Sequence, residues 1–482
     1  MTRTFAAPTA TPGSPKSRHR STDEYLLTAV TATSYIGTLL ALNALSYLPR
    51  FDTSGSVFGR WDSVHFFSVA RNGYEYEQQV AFQPGWHALL HSGANAVGSI
   101  RQWLGIDPPL ISKAGGGRGL WVEGVTSTPD DIEIAAIAIN LIARIAASLA
   151  LYRLTCRLFN RKTAVAAGLL YAYPPSPAAM LTYTEPAFAA AYFAGLLACS
   201  KRRWLGAALC FAAATSLRAT GVFSAAVLAW ALVFAPRRPA SPDVKRSIPF
   251  TSYVCAALRD PGRTLIRAVI AVTLAGIVAA PFIVFNGYIW KIACPGREWC
   301  SKSLPLAYTA VQKIYWDIGL FHYWTPEQIP NLIIALPVLI PTLAGIWAYF
   351  SGKTLSLHSE AAHRADSLAS IQASTTYAIS SAHNVRASAE VKEVKGDVQD
   401  ETTGDEVARG PLLDAVYALS LFLALTLLFT SHTQIALRLA VTDPTLWWTL
   451  AANAGMRKAW IWWCFLWAAV GLALWSGHYP PA

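Results

Sequence analysis

The sequence contains little charge. Only 14% of its 482 residues are Asp, Glu, Lys or Arg, whereas a soluble globular domain carries about 25%. Hydrophobic residues make up 54% of the chain, and the mean hydropathy is +0.34. The composition therefore excludes an ordinary soluble domain and indicates an all-α polytopic membrane protein, in which charge is confined to membrane edges and functional sites.

Several motifs that would identify other classes of protein are also missing. The chain has no zinc-type Cys/His spacing, no glycine-rich phosphate loop and no basic tail with interleaved aromatic residues. We therefore predict no bound metal and no nucleic-acid partner. The formal net charge of +11 is interpreted first as the excess of Lys and Arg that cytosolic loops carry.

Cysteine is scarce and gives one local signal. Of the seven cysteines, Cys294 and Cys300 lie close together outside an apolar segment. A disulfide between them and two free thiols are both compatible with this spacing.

Long apolar segments are what the chain does have. Since a membrane-spanning helix needs about 20 apolar residues, we predict roughly ten spans. A further apolar segment, 445–455, is too short to span unless it is re-entrant. The predicted spans are 25–48, 132–158, 163–180, 187–200, 204–216, 220–234, 265–285, 331–349, 412–429 and 460–475.

Charge divides the connecting segments between two sides. Clusters of Lys and Arg occur on one side, and the segments that mix His, Asp, Glu and Arg with aromatic residues occur on the other, extracytoplasmic side. The predicted organisation is a disordered cytosolic tail (1–24), a transmembrane catalytic core (25–350) with outer loops 49–131 and 286–330, a disordered cytosolic insert (351–411), and a C-terminal transmembrane part (412–482) with outer loop 431–443.

The segment 60–66 in the first outer loop combines charged and aromatic residues next to a membrane surface. Asp62 is a candidate general base there, and the alternative is a helix N-cap. His65 follows three residues later, on the same face of a helix, and could otherwise be an interfacial histidine. Asp52 is a rival carboxylate or a turn residue.

Two arginines stand among apolar segments, where a charge is costly and usually functional. Arg218 lies between two predicted spans, and Arg144 lies inside one. Each is interpreted as a candidate ligand-binding residue, with snorkelling to the interface as the alternative for Arg218.

The last outer loop contains His432, Gln434 and Arg438. This set is either an ordinary loop or a phosphate clamp, in which Arg438 supplies a planar fork of donors and His432 a titratable one. Gln83, in the turn Phe82-Gln83-Pro84-Gly85, is a structural turn residue or a substrate contact.

Several of these motifs occur in a specific order along the chain. The pattern Trp-Asp-x-x-His-Phe comes first, and Tyr-Trp-x-x-Gly-x-x-x-Tyr-Trp comes later. Together they resemble the glycosylphosphatidylinositol (GPI) mannosyltransferase 2 family. The motifs are Trp61-Asp62-Ser63-Val64-His65-Phe66, Phe82-Gln83-Pro84-Gly85, Tyr183-Thr184-Glu185, Arg218-Ala219-Thr220-Gly221, Tyr315-Trp316-Asp317-Ile318-Gly319-Leu320-Phe321 with Tyr323-Trp324, and His432-Thr433-Gln434 with Arg438.

The resemblance implies a multispanning GT-C-type glycosyltransferase of the endoplasmic reticulum membrane with a lumenal active site. Its donor would be dolichyl-phosphate-mannose and its acceptor mannosyl-glucosaminyl-phosphatidylinositol, which receives a second, α-1,6-linked mannose without any other cofactor. A small membrane subunit is a further candidate partner. The expected catalytic residues are Asp62 and His65, and the expected substrate-binding residues are Arg60, Trp61, Asp52, Gln83, Glu185, Arg218, Tyr315, Trp316, His432, Gln434 and Arg438.

Other functions remain as alternatives. The nearest is another lumenal mannosyltransferase that uses the same donor. A multispanning lipid or solute transporter would show internal repeats and interrupted helices in matching halves, and no such repeat is evident in the sequence. A structural subunit of a membrane complex would not need acidic and basic residues confined to one side.

The topology can be tested with engineered glycosylation acceptor sites. Because the predicted cytosolic segments carry the basic clusters, we expect an acceptor placed within 105–120 to be glycosylated and one placed within 370–390 to remain unmodified. Mobility shifts removed by endoglycosidase would report each modification. Modification of the second site without the first would contradict the topology.

Overall fold

The computed structural model describes residues 15–48, 56–106, 129–174, 176, 180–235, 250–352 and 410–479. Asp52, most of the predicted insert and the first part of the predicted tail lie outside these ranges. The described helices are α1 (Pro15–Leu45), α2 (Asp62–Asn72), α3 (Pro84–Trp103), α4 (Pro129–Leu158), α5 (Arg161–Tyr171), α6 (Glu185–Ser200), α7 (Trp204–Leu217), α8 (Ser224–Val233), α9 (Phe250–Arg259), α10 (Pro261–Ala293), α11 (Ala307–Trp316), α12 (Ile329–Ser351), α13 (Pro411–Phe429), α14 (Ala436–Ala440), α15 (Pro444–Ala452) and α16 (Ala454–Gly477).

Local sequence signals explain where many of these helices begin. Proline occupies the first turn of α3, α6, α10, α12, α13 and α15, where its missing N–H costs no hydrogen bond. Side chains of Asn160, Asp443 and Asn453 accept backbone N–H groups as N-caps of α5, α15 and α16. The all-α architecture predicted from composition is confirmed.

Within the described residues, six helices are long and apolar enough to cross a membrane: His19–Leu45, Asp131–Leu158, Pro261–Ala293, Pro326–Ser351, Pro411–Phe429 and Ala454–Gly477. The helices α5 to α8 contain 11, 16, 14 and 10 residues. Even α6 extends only about 24 Å at 1.5 Å per residue, less than the hydrocarbon thickness of about 30 Å. The count of about ten spans stays a prediction.

The segment left ambiguous near the C-terminus forms the short helix α15 in the protein core. Trp447 and Trp448 are both fully buried. The Trp448 indole donates to Thr155 Oγ1 at 2.8 Å, and Trp447 packs edge-on against Tyr171, with ring centroids 5.7 Å apart. This segment is therefore a buried packing element, which explains why it is apolar but too short to be a span.

Ion pairs join the first part of α1 to the end of α4 and the start of α5. Arg161 binds the Asp23 carboxylate with two hydrogen bonds of 2.6 and 2.7 Å. Arg153 binds Glu24 through two bonds of 2.9 Å. Helix α1 begins at Pro15, so residues 15–24 are helical although the whole tail 1–24 was predicted to be disordered. The acidic residues Asp23 and Glu24 in the basic tail were the sequence signal for these ion pairs.

The buried Arg144 has a structural partner. Its guanidinium donates to the backbone carbonyls of Tyr171 and Ala172, at 3.5 and 3.0 Å, and lies 5.6 Å from the centre of the Tyr171 ring. These carbonyls end α5, where the helix itself supplies no donors. Arg144 thus terminates α5 inside the protein.

Cys294 and Cys300 form a disulfide, with their Cα atoms 5.7 Å apart. Of the two alternatives left open by the spacing, the disulfide is correct. It closes the segment between α10 and α11, where Trp299 is buried.

The contact between α6 and α7 depends on Gly195, because a Cβ atom there would overlap the Phe211 ring. We expect Gly195→Ala to lower the free energy of unfolding by about 1–3 kcal/mol through overpacking. Gly276→Ala in α10 is the matched control, since its Cβ would meet no atom within 4 Å. Thermal unfolding in detergent compares the two, and equal unfolding temperatures would contradict the prediction.

Candidate functional site

Four charged side chains from distant parts of the sequence meet at one point. Arg438 donates from Nη1 to Asp62 Oδ2 at 2.7 Å and from Nε to Glu185 Oε1 at 2.5 Å. Arg218 donates from Nη1 to the same Glu185 oxygen and, at 3.1 Å, to Thr184 Oγ1. The result is a connected network of two carboxylates and two guanidinium groups, which we call the charged cluster (Asp62, Glu185, Arg218 and Arg438).

Helix ends bring the charged cluster together. Asp62 and Glu185 are the first residues of α2 and α6, where a negative charge is favoured by the helix dipole. Arg218 is the residue that ends α7, and Arg438 lies within the short helix α14. Three of the charges lie where a helix starts or ends and the fourth lies in a helix of only five residues, so all four side chains reach one junction.

The alternative role proposed for Asp62, that of an N-cap, is wrong. Trp61 occupies the N-cap position of α2, and no side chain makes a capping hydrogen bond there. The Asp62 carboxylate turns instead toward Arg438. The sequence signal was misleading because an acidic residue at the first helical position resembles one at the preceding cap.

The members of the charged cluster differ in exposure. The Glu185 side chain is fully buried, whereas Arg218, Arg438 and Asp62 retain 17%, 22% and 28% of their side-chain exposure. Burial alone would raise the pKa of Glu185, but the guanidinium groups of Arg218 and Arg438 hold that pKa below its usual range. Glu185 is therefore an ionised, inaccessible carboxylate, and Asp62 is the accessible one.

Tyr183 holds two members of the charged cluster in place. Its hydroxyl accepts the backbone N–H of Asp62 at 3.1 Å, and the Arg438 guanidinium lies 4.7 Å from the centre of its ring, a cation–π contact. Trp475 packs edge-on against the same ring at 5.7 Å. Tyr183 was not predicted as a site residue, although its place beside Glu185 was a usable signal.

Arg60 and Trp61 lie beside the charged cluster and face the end of the chain. The buried Arg60 donates from Nη1 to His478 Nδ1 at 2.9 Å. The Trp61 ring meets His478 edge-on at 5.6 Å, and the Trp475 indole donates to the Val57 carbonyl at 2.7 Å. These contacts attach the segment before Asp62 to the end of α16.

His65 and Gln83 lie on the α2–α3 side. The His65 ring stacks on Phe82, with centroids 5.9 Å apart. Gln83 is 1% exposed, and neither polar atom of its side chain has a hydrogen-bond partner among the described residues. A Cβ at the neighbouring Gly85 would lie 2.6 Å from the Ser216 carbonyl oxygen, so this turn must approach the end of α7 closely, just before Arg218.

The remaining predicted residues lie outside the charged cluster or outside the described residues. Tyr315 donates to Glu77 Oε2 at 3.1 Å, and Trp316 packs edge-on against Phe82 at 6.1 Å. His432 is hydrogen-bonded to the Tyr323 hydroxyl. Burial lowers the pKa of His432, which favours its neutral imidazole over a charged one. Asp52 and the side chain of Gln434 lie outside the described part of the chain.

An apolar cavity of about 910 Å³ lies between α1, α5 and α16. Its walls include Met180, three residues before Tyr183, and extend along α16 from Arg457 to Leu472. This span of α16 corresponds to about 22 Å of helix. Apart from Arg457 at one end, the lining is mostly apolar and suits a hydrocarbon chain.

The charged cluster combines groups suited to acid–base chemistry and to anion binding. An accessible carboxylate can take a proton from a hydroxyl, and guanidinium groups recognise phosphate oxygens with directed hydrogen bonds. Among the described residues, no group of three or more His, Cys, Asp or Glu side chains could hold a metal ion.

Glu185→Gln tests what the buried carboxylate contributes to stability. Glutamine preserves the shape but leaves two guanidinium groups without their shared anion, so we expect the free energy of unfolding to fall by about 3 kcal/mol. Thermal unfolding in detergent would measure this, with the exposed Glu298→Gln as control. Adding Arg218→Gln should restore part of the loss. Equal stability of Glu185→Gln and the control would contradict the prediction.

The sequence matches a known protein family and is similar to several named proteins. Residues 51–113 and 124–482 match the family described as Mannosyltransferase (PIG-V). The protein named GPI mannosyltransferase 2 from Cryptococcus neoformans var. neoformans serotype D (strain B-3501A) is 34% identical over 493 residues, covering 95% of this chain and 99% of that protein. GPI mannosyltransferase 2 of Schizosaccharomyces pombe is 33% identical, covering 61% of this chain and 55% of that protein.

More distant similarities extend to animals and archaea. GPI alpha-1,6-mannosyltransferase 2 of Rattus norvegicus is 25% identical, covering 62% of this chain and 61% of that protein. Among solved structures, the oligosaccharyltransferase AglB of Archaeoglobus fulgidus, in complex with an inhibitory peptide and a dolichol-phosphate, superposes with a TM-score of 0.42. It is 11% identical and covers 98% of this chain and 57% of that chain. The family match covers nearly the whole sequence, including every member of the charged cluster, and the chain belongs to the mannosyltransferase (PIG-V) family.

Proposed function

We propose that this protein is the mannosyltransferase that adds the second mannose to the GPI-anchor precursor. The observation that carries the proposal is the family match over nearly the whole chain, with relatives named GPI mannosyltransferase 2 and GPI alpha-1,6-mannosyltransferase 2. The mannose comes from dolichyl-phosphate-mannose and is joined through an α-1,6 bond at the endoplasmic reticulum membrane.

The charged cluster supplies the groups that such a transfer requires. The acceptor hydroxyl oxygen forms a bond to the anomeric carbon of mannose and gives its proton to Asp62, the accessible carboxylate. The bond from that carbon to the phosphate oxygen breaks. Arg438 and Arg218 stabilise the negative charge that remains on the dolichyl phosphate. In this mechanism the cations are protein side chains, and no metal is needed.

Glu185 has a different role from Asp62. It is fully buried and receives hydrogen bonds from both arginines, so a substrate hydroxyl does not reach it. Its charge compensates the two guanidinium groups, which would otherwise repel each other. Glu185 therefore orients the two guanidinium groups. His65, whose ring stacks on Phe82, is assigned a secondary catalytic role, and Asp62 is the base.

The position of the charged cluster relative to the basic surface supports a lumenal site. Glu185 begins α6, and the carbonyl of Ser200 at the other end accepts a hydrogen bond from Arg157. Arg157 lies at the end of the predicted span 132–158, beside the basic residues Arg161 and Lys162 that are predicted to be cytosolic. Since α6 is about 24 Å long, the cluster lies most of a hydrocarbon thickness away from that surface.

The apolar cavity supports a lipid-borne substrate. It extends along α16 and reaches Met180, three residues from Tyr183, while Tyr183 contacts Arg438. A hydrocarbon chain in the cavity would remain in an apolar environment while its head group lies near the charged cluster. Both proposed substrates have this combination of a long apolar part and a polar head.

Asp62→Asn tests the proposed base. Asparagine cannot accept the proton, so we expect mannosyl transfer to fall by about 10²–10⁴-fold. Protein abundance should stay near normal, because a partly exposed ion pair contributes only about 0.2–1 kcal/mol. Membranes from cells that lack the enzyme, complemented with the variant and supplied with radiolabelled donor, should accumulate the single-mannose intermediate.

The exposed Asp317 provides the control, since Asp317→Asn removes the same charge away from the charged cluster and should leave transfer unchanged. Formation of the two-mannose product at a normal rate by Asp62→Asn would contradict the assignment. Asp52 would then be the leading candidate for the base.

A further inference from the structure

The two carboxylates bound to Arg438 are held to very different degrees. Glu185 is fully buried and shared with Arg218, whereas 28% of the Asp62 side chain is exposed and its ion pair is with Arg438. A partly exposed pair exchanges with solvent and other ions at little cost, and a buried, doubly bonded carboxylate does not. Asp62 is therefore the replaceable anion on Arg438.

Arg438 itself is fixed in orientation. Its Nε is bound to Glu185 at 2.5 Å, and its guanidinium carbon lies 4.7 Å from the centre of the Tyr183 ring. Rotation of the guanidinium would break the bond to Glu185 and disturb the cation–π contact. The Nη1 atom consequently continues to point toward the position of Asp62 Oδ2, even when the Asp62 side chain moves away.

The Asp62 backbone is also fixed, and its side chain is the part that can move. The N–H of Asp62 donates to the Tyr183 hydroxyl, so the start of α2 stays attached to the site. Rotation about the side-chain bonds takes the carboxylate off Arg438 without moving the helix. One anion position on Arg438 can thus be vacated while the surrounding protein keeps its structure.

The closed pair occupies groups that the proposed transfer needs. Asp62 Oδ2 accepts an N–H of Arg438 Nη1, so this oxygen is not free to take a proton from the acceptor and this N–H is not free to bind a phosphate oxygen. The same contact therefore occupies part of the base and part of the anion site together. Both become available when a second anion replaces Asp62 on Arg438.

We propose that the phosphate of the prenyl donor takes the place of Asp62 on Arg438 Nη1 and thereby releases Asp62 to act as the base. This inference rests on the proposed function. The ligand class is a phosphate on a hydrocarbon chain, and its anion position is the one that the Asp62 carboxylate occupies in the structure. Donor binding then precedes deprotonation of the acceptor.

Binding of dolichyl phosphate to the full-length protein in nanodiscs tests the exchange without requiring turnover. Asp62→Asn removes the anion that must be displaced, so we expect its affinity for dolichyl phosphate to exceed that of the wild type by about three- to tenfold. Asp317→Asn removes an equal charge from an exposed position bound to His322 and should leave the affinity unchanged.

A double-mutant cycle separates exchange at Arg438 from a general effect of charge. In an Arg438→Gln background the competing partner is gone, so Asp62→Asn should no longer tighten binding. Where Arg438→Gln alone does not yield folded protein, Arg438→Gln combined with Glu185→Gln completes the same cycle, because the buried carboxylate is then neutral as well. Thermal unfolding verifies the fold of every variant.

Three results would overturn the proposal. Unchanged or weaker binding by Asp62→Asn would show that the carboxylate does not compete with phosphate. An equal gain in the Arg438→Gln background would show a long-range charge effect instead of exchange. If no folded variant binds dolichyl phosphate, the charged cluster is not a phosphate site. If the wild-type protein still transfers mannose at a normal rate, any of these results leaves the proposed function standing. If the wild-type protein neither binds dolichyl phosphate nor transfers mannose, the proposed function is rejected as well.

Discussion

The Glu185 carboxylate, buried between two guanidinium groups, is the interaction on which the rest of the site depends. A single buried charge is strongly unfavourable unless it is paired and hydrogen-bonded. Glu185 obtains this pairing only if the end of α7 delivers Arg218 and helix α14 delivers Arg438. Folding must therefore join segments more than 200 residues apart before this charge is stabilised. The electrostatic requirement of one side chain thus determines how three helix ends are arranged.

A second set of contacts joins the beginning and end of the chain around the same point. The Tyr183 ring lies between Arg438 on its face and Trp475 at its edge, while its hydroxyl holds the start of α2. The last turn of α16 also binds the segment before Asp62 through Trp475. Because aromatic rings lose little conformational entropy when they are buried, they position charged neighbours accurately. The Asp62 carboxylate is consequently supported by residues from the middle and the end of the sequence.

Composition and motif order were sufficient to predict the all-α membrane fold and the glycosyltransferase family, both of which are confirmed. They could also nominate every member of the charged cluster, because charges are rare in an apolar chain. They could not distinguish these four from Arg60, Tyr315 and Trp316, whose partners are His478, Glu77 and Phe82. Side-chain partners are set by tertiary packing, and hydropathy carries no information about which helix ends meet. The unpredicted role of Tyr183 has the same cause.

The two carboxylates of the charged cluster are identical chemical groups that differ in burial and in pairing. Two guanidinium neighbours favour the ionised form of Glu185, and burial keeps it out of reach. Asp62 shares one of those neighbours but keeps access to solvent, so its partner can change. Environments that differ in this way separate a structural charge from a reactive one. A carboxylate that is only partly paired combines a defined position with the freedom to exchange its partner, and the proposed replacement of Asp62 by a donor phosphate requires both properties.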